Sequence, residues 1–224
     1  PTGDWISIIK AGSNGASEFI NETSIGITAL IFNYIMLQSF GVEGVAAYAV
    51  INYMIWVSIM IGFGISDSLQ PIISKNFGAK KPERIEDFLK YAFISVIFIG
   101  FILIALITQK PESLIEIFLE SNDQQTITII LEFAAVIWPL FIFSGINLVI
   151  SAYFTAIHKP IQSGSIALSR SLVLPIIFIY ILPKFFGHIG IYIAIPTAEF
   201  VTMFMAIVLY SKLTPKKLMA NNLN

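Results

Sequence analysis

Apolar residues gather along the chain in six long stretches, at about 12–38, 45–74, 88–108, 126–157, 161–182 and 189–210. A helix needs about 20 apolar residues to cross the hydrocarbon of a bilayer, whereas a membrane strand needs about 9–11. The lengths therefore predict six transmembrane helices and exclude a strand reading. The fold class expected is all-α membrane, a bundle of six transmembrane helices.

The interruptions have turn chemistry. Phe40-Gly41-Val42-Glu43-Gly44 reads as a short turn, and residues 75–87 as a charged loop containing Gly78 and Pro82. The segment 110–125 is acidic and opens with Lys110-Pro111. Within it Leu114, Ile115, Phe118 and Leu119 recur at helical spacing between Glu112, Glu116 and Glu120, which predicts a short interfacial helix. His158-Lys159-Pro160 and 183–187 close the later turns.

Composition agrees with lipid exposure. Of 224 residues 56% are hydrophobic and only 12% charged, with mean hydropathy +0.82. Soluble chains carry about 25% charged residues, so this chain has too little charge to cover a water-facing surface. A net charge of −1 argues against a nucleic-acid partner, and the absence of cysteine excludes disulfides, thiol nucleophiles and thiolate metal sites. Abundant Ile, Phe and Lys points to a bacterial source. The chain opens on Pro1 rather than Met, as expected of a piece of a longer protein.

Basic residues set the expected orientation. Lys10, Lys75, Lys80, Lys81, Arg84, Lys90, Lys159, Lys212, Lys216 and Lys217 fall on one side of the six-span topology, against Lys110 and Lys184 on the other. Both termini are therefore expected in the cytoplasm, with the spans in the cell membrane.

Ionisable groups inside spans are the informative ones, because each costs roughly 2.5–3.5 kcal/mol at a helix centre. The candidates are Glu18, Glu22, Asp67, Glu132, Arg170 and Glu199. Glu18 and Glu22 are one helical turn apart on one face, with Asn14, Ser17, Asn21 and Ser24 near them. Glu22 lies roughly 15 Å from the start of its span, near mid-bilayer, where two close carboxylates resist double ionisation. Glu22, Glu18, Asn21 and Asn14 are the expected cation-coupling or substrate residues, with Na⁺ near Glu22 as the one metal considered. Hydrogen bonding to neighbouring helices is the structural alternative. Asp67 and Arg170 sit at matching depth, roughly 12–14 Å from one membrane face, and are expected to form a structural ion pair; Glu18 can compete for Arg170. Glu132 is expected near the outer face, and Glu199 near mid-depth. Pro139, Pro175 and Pro196 fall inside spans, where proline removes a backbone donor and bends a helix.

No HExxH, GxSxG or phosphate loop occurs, and His158 and His188 lie far apart at span ends. An enzyme is not expected, and no cofactor beyond a coupling ion.

The stretch from Gly62 to Ala79, with Asp67, Gln70-Pro71 and Asn76-Phe77-Gly78-Ala79, resembles the second helix of a lobe in multidrug and toxic compound extrusion (MATE) transporters. Leu114-Ile115-Glu116-Ile117-Phe118 before Asn122-Asp123 resembles the family's outer loop, and Ala156-Ile157-His158-Lys159-Pro160 its Ala-Leu-Gly-Lys-Pro turn. Leu168-Ser169-Arg170 to Pro175, Gly187 to Gly190 and Ile195-Pro196 resemble the last two helices. The resemblance covers nearly the whole chain. It implies the C-terminal lobe of a twelve-helix transporter whose N-terminal six-helix lobe is missing here, with a substrate cavity between the lobes. It further implies export of cationic or amphiphilic compounds by Na⁺ or H⁺ antiport. One branch uses a carboxylate in the seventh helix for coupling, and Glu22 matches that position. The same branch has an Asp in the tenth helix where this chain has Ser144. Two alternatives stand beside this reading: a related lipid-linked polysaccharide flippase, for which Arg170 supplies little charge, and a non-transporting scaffold or dimerising half.

Overall fold

The computed structural model describes residues 5–109 and 123–221; the expected interfacial helix at 114–119 and Lys110 lie outside them. Among the described residues the chain is helical almost throughout, with no strand.

Helix α1, Trp5–Gly78, is 74 residues long. Unbroken, it would measure about 110 Å, several times the hydrocarbon thickness. It is broken at Gly41, whose backbone is non-helical (φ 72°, ψ −154°), a region open to glycine. Phe32 and Tyr48, sixteen positions apart, would be about 24 Å apart along a straight helix. Their rings instead stack with centroids 5.6 Å apart. The chain therefore folds back at Gly41 into two arms, 5–40 and 42–78. Gly44 permits the closeness: a Cβ there would lie 2.7 Å from the Met36 carbonyl oxygen.

The second arm ends in a Schellman turn: Lys81 N–H donates to Asn76 O (3.0 Å) and Lys80 N–H to Phe77 O (3.1 Å). Lys80 takes the left-handed position (φ 54°) that glycine usually fills. Helix α2, Pro82–Gln109, starts at once, with proline in the first turn, where its missing N–H is harmless. The charged segment expected as a loop over 75–87 is thus mostly helix. Charge marks where the helices leave the hydrocarbon, not where they end. Ile85, Leu89, Ala92 and Val96 form the buried stripe of α2.

The expected span at 126–157 is two helices, α3 (Gln124–Ile137) and α4 (Leu140–Ala156), bent by 53°. Pro139 sits in the break, where its ring and missing donor interrupt the ladder. Asp123 caps α3, accepting from Gln125 N–H (3.3 Å) and Thr126 N–H (3.2 Å). Helix α4 is buried on nearly every side and is the axis of the bundle. Close approaches surround it: a Cβ on Gly145 would meet Val96 at 2.8 Å, and one on Gly62 would meet Leu148 at 2.6 Å.

Helix α5 (Pro160–Leu168), a π-helical turn (Ser169–Val173) and α6 (Leu174–Phe186) form one continuous span. Short α7 (His188–Tyr192) leads into α8 (Ala194–Lys212), and α9 (Pro215–Asn221) closes the described chain. Four helical runs are long and apolar enough to cross a membrane, and the bent α3–α4 pair makes a fifth. Counting the two arms of α1 separately gives six passes, the expected bundle.

The core has two regions. One centres on the aromatic group Phe32, Tyr48, Phe133 and Tyr192. The other gathers Leu69, Ile85, Leu89, Tyr153, Phe154 and Ile166 around the far half of α4.

Candidate functional site

The polar centre of the lobe begins with a proline. Pro175 has no N–H, so the carbonyl four residues earlier, on Ser171, has no helical partner from it. Thr28 on the first arm of α1 donates its hydroxyl to that carbonyl at 2.5 Å. The π turn over Ser169–Val173 lies directly before this point. A π turn holds an extra residue per turn and shifts the faces on which side chains emerge. Here it carries Arg170 and Ser171 into the bundle, both buried.

Arg170 meets Glu199 of α8. Nη2 lies 2.7 Å from Oε1, and Nε lies 3.1 Å from Oε1 and 3.3 Å from Oε2. Asn147 of α4 completes the group: its Nδ2 donates to Glu199 Oε2 at 2.7 Å and to the Glu199 backbone carbonyl at 2.9 Å. The three residues are 4%, 3% and 0% exposed. An isolated buried charge is very unfavourable; here a forked guanidinium and an amide satisfy both carboxylate oxygens. Among the described residues Arg170 Nη1 and Asn147 Oδ1 are buried with no hydrogen-bond partner.

Arg170 and Glu199 form one wall of a small cavity of about 50 Å³, room for a few waters. Its polar edge is Thr28, Tyr48, Asn52, Arg170, Ser171 and Glu199; the remaining wall is largely aliphatic. Both arms of α1, α4, the π turn, α6 and α8 contribute. A second, smaller cavity of about 10 Å³ lies on another side of Arg170 and is lined by Ser66, Asp67 and Gln70 among others.

The expected Asp67–Arg170 ion pair does not form. Both residues line the smaller cavity, but the guanidinium reaches Glu199, while Asp67 is exposed and accepts from Gln70 Nε2 at 3.4 Å. Matching depth permitted either acid as partner. The helix face decides between them, and the π turn sets that face.

Glu22 is exposed on the first arm. It is not in the cavity wall, although Ile25, Thr28 and Ala29 on the following turns are. The side chains of Glu18, Asn14 and Asn21 lie outside the described set. Among the described residues no group of three or more His, Asp or Glu is placed to hold a metal ion. Ser144 is buried on α4, one turn before Asn147. Glu132 is exposed and accepts from Tyr192 Oη at 3.4 Å. Asn147, Thr28 and Ser171 were not singled out from the sequence. Asn147 carried a usable signal as an amide within the apolar run 140–157. Thr28 and Ser171 carried none, because their roles follow from the carbonyl that Pro175 frees.

The sequence profile of the family described as MatE matches residues 18–181 of this chain. Multidrug export protein MepA of Staphylococcus haemolyticus (strain JCSC1435) is 23% identical over 199 residues, spanning 88% of this chain and 43% of that protein. A solved MOP superfamily transporter from Pyrococcus furiosus, described as having a binding pocket of reverse polarity, superposes with TM-score 0.85 at 18% identity, covering 98% of this chain and 48% of that one. An outward-facing multidrug resistance MATE family transporter superposes with TM-score 0.84 at 17% identity, covering 96% and 47%. At these identities the structural likeness speaks for the fold alone. The chain spans about half the length of the relatives it matches.

Proposed function

The chain belongs to the MatE family, and from that premise we propose that it acts as one six-helix lobe of a secondary transporter exporting amphiphilic or cationic organic solutes. The observation that carries the proposal is the small cavity lined by Arg170 and Glu199: its aliphatic wall suits an apolar part of a solute, and its polar edge suits a head group. The missing partner is the N-terminal six-helix lobe. Alternating access comes from rocking of the two lobes around the solute. This is a transport role and not an enzymatic one.

The coupling ion is Na⁺ or H⁺. Glu22 is its carrier in this lobe, assisted by Glu18, Asn21 and Asn14. An exposed carboxylate one to two turns from the cavity wall can exchange a cation as the lobes move, whereas Glu199 is engaged by Arg170 at 2.7 Å and serves to fix the wall. The protein resides in the cell membrane with both termini in the cytoplasm.

The test is dye efflux from cells expressing the full-length transporter, under imposed Na⁺ and pH gradients, with and without Glu22→Gln. The expected result is gradient-driven efflux by the wild type and loss of ion dependence in the variant. Efflux that keeps its ion dependence in Glu22→Gln removes that residue from coupling. A wild type that moves no dye under either gradient overturns the transport reading.

A further inference from the structure

Several contacts gather the basic residues at one end of the bundle. Only a short turn separates α1 from α2. Lys216 of α9 places Nζ 2.6 Å from Glu86 Oε2 near the start of α2. Tyr153, near the end of α4, donates its hydroxyl to the Leu213 carbonyl at 2.7 Å. The end of the second α1 arm, the start of α2, the end of α4 and the end of α8 therefore share one rim.

Lys75, Lys80, Lys81, Arg84, Lys90 and Lys212 are all exposed on that rim. Among the described residues no hydrogen bond or ion pair engages these six side chains. The acids there are Glu83, Glu86 and Asp87, all on the first turns of α2. Lys216 takes Glu86 directly, and Glu83 and Asp87 also act on its charge, holding its ammonium above the usual lysine range. Lys217 turns back to the Ser211 carbonyl at 2.7 Å. The short helix α9 thus covers Glu86 with its own lysine and packs Leu218 and Met219 on the core, while Glu83 and Asp87 stay exposed. Six outward cations therefore face two outward acids, and the rim keeps a positive surplus. Among the described residues, the opposite rim offers Lys184 beside the acids Glu43 and Asp123.

We propose that this basic rim is a docking surface for anionic phospholipid headgroups of the leaflet it meets, the cytoplasmic one by its positive bias. Position favours lipid over a soluble acidic partner. Each of the six bases lies within about 12 Å of a helix end, the depth of the headgroup layer, and the long stems of Lys and Arg extend toward it. The turn between Gly78 and Pro82 protrudes too little to seat a protein or a nucleic acid.

The experiment uses the full-length transporter in detergent, with retained lipids counted by native mass spectrometry during titration with phosphatidylglycerol or phosphatidylcholine. Phosphatidylglycerol should be retained preferentially. Lys80→Gln/Lys81→Gln/Arg84→Gln should weaken it by roughly fivefold per charge removed. Lys80→Arg/Lys81→Arg, which keeps the charge, should retain it, and Lys184→Gln on the opposite rim should leave it unchanged. Equal retention of the two lipids overturns the proposal, as does a triple variant that holds phosphatidylglycerol like the wild type. Displacement of the lipid by an equal amount of inorganic phosphate or a short RNA assigns the rim to another anion and equally overturns it.

Discussion

Arg170 and Glu199, 29 positions apart in sequence, meet at 2.7 Å in the middle of the lobe and tie the fifth and sixth passes together. The pair is nearly forked, and Asn147 of the central helix braces its acid partner. Three passes are thereby held by one polar contact set whose members are nearly free of solvent. The cavity wall is consequently rigid where its charge is greatest.

Removing one member of such a pair leaves the other charge buried and unmatched. Glu199→Leu should destabilise the purified protein by about 3–5 kcal/mol, and Arg170→Met/Glu199→Leu by considerably less. Thermal unfolding of the two single variants and the double variant in one detergent checks this. Single losses that add up in the double variant count against a coupled pair.

Thr28→Val should remove the hydroxyl that serves the Ser171 carbonyl and lower stability by about 1 kcal/mol. In a Pro175→Ala background, a backbone N–H returns at the position that can serve the same carbonyl. The Thr28→Val effect should then shrink. An unchanged effect in both backgrounds breaks the link between the proline and the threonine. The measurement is a double-mutant cycle by thermal or denaturant unfolding.

The bundle was legible because its signal is additive: each span gathers 13 to 23 apolar residues, and no single error erases it. The hairpin at Gly41 was legible for a similar reason, since Gly41 and Gly44 flank a charged residue inside a greasy run. The identities of the buried charges, Arg170 and Glu199, were also visible. Their pairing was not, because rise per residue gives depth but no azimuth, and the π turn alters azimuth without changing composition. The bend at Pro139 had a visible cause, but its 53° size did not. Asp67 shows the converse. An acid in an apolar run suggested a buried partner, yet it stays exposed against Gln70.

The cap of α3 makes a pH prediction. The Thr126 hydroxyl, with the Thr126 and Gln125 amides, stabilises the charged Asp123 carboxylate and lowers its pKa below the usual aspartate value. A carboxylate whose folded pKa is depressed adds stability above its unfolded pKa, and that stability is lost as pH falls through the folded value. The stability difference between wild type and Asp123→Ala should therefore be full near neutrality and fade in acid below the ordinary aspartate range. Asp123→Asn, a cap that does not titrate, should show a pH-independent difference from Asp123→Ala. Unfolding curves of the three proteins across an acid series decide it; a wild-type advantage over Asp123→Ala that persists undiminished at the acid end removes the ionised cap from the account.

The cavity itself can be tested by filling it. Ala29 lines the cavity next to Thr28 and does not belong to the Arg170 cluster. Ala29→Phe puts a ring into that space while leaving Thr28, Arg170 and Glu199 in place. Overfilling a shaped site costs about 1–3 kcal/mol, so efflux of bulky dyes by the full-length transporter should fall by roughly five- to 150-fold. Small substrates should be affected less, because they need less of the volume, and the unfolding temperature should change little if the ring occupies open space. Efflux measured for a graded series of dye sizes checks both points. A uniform loss for every dye together with a large fall in unfolding temperature means that the ring has damaged packing and not filled a substrate site. Unchanged efflux of the largest dyes means that solutes pass elsewhere.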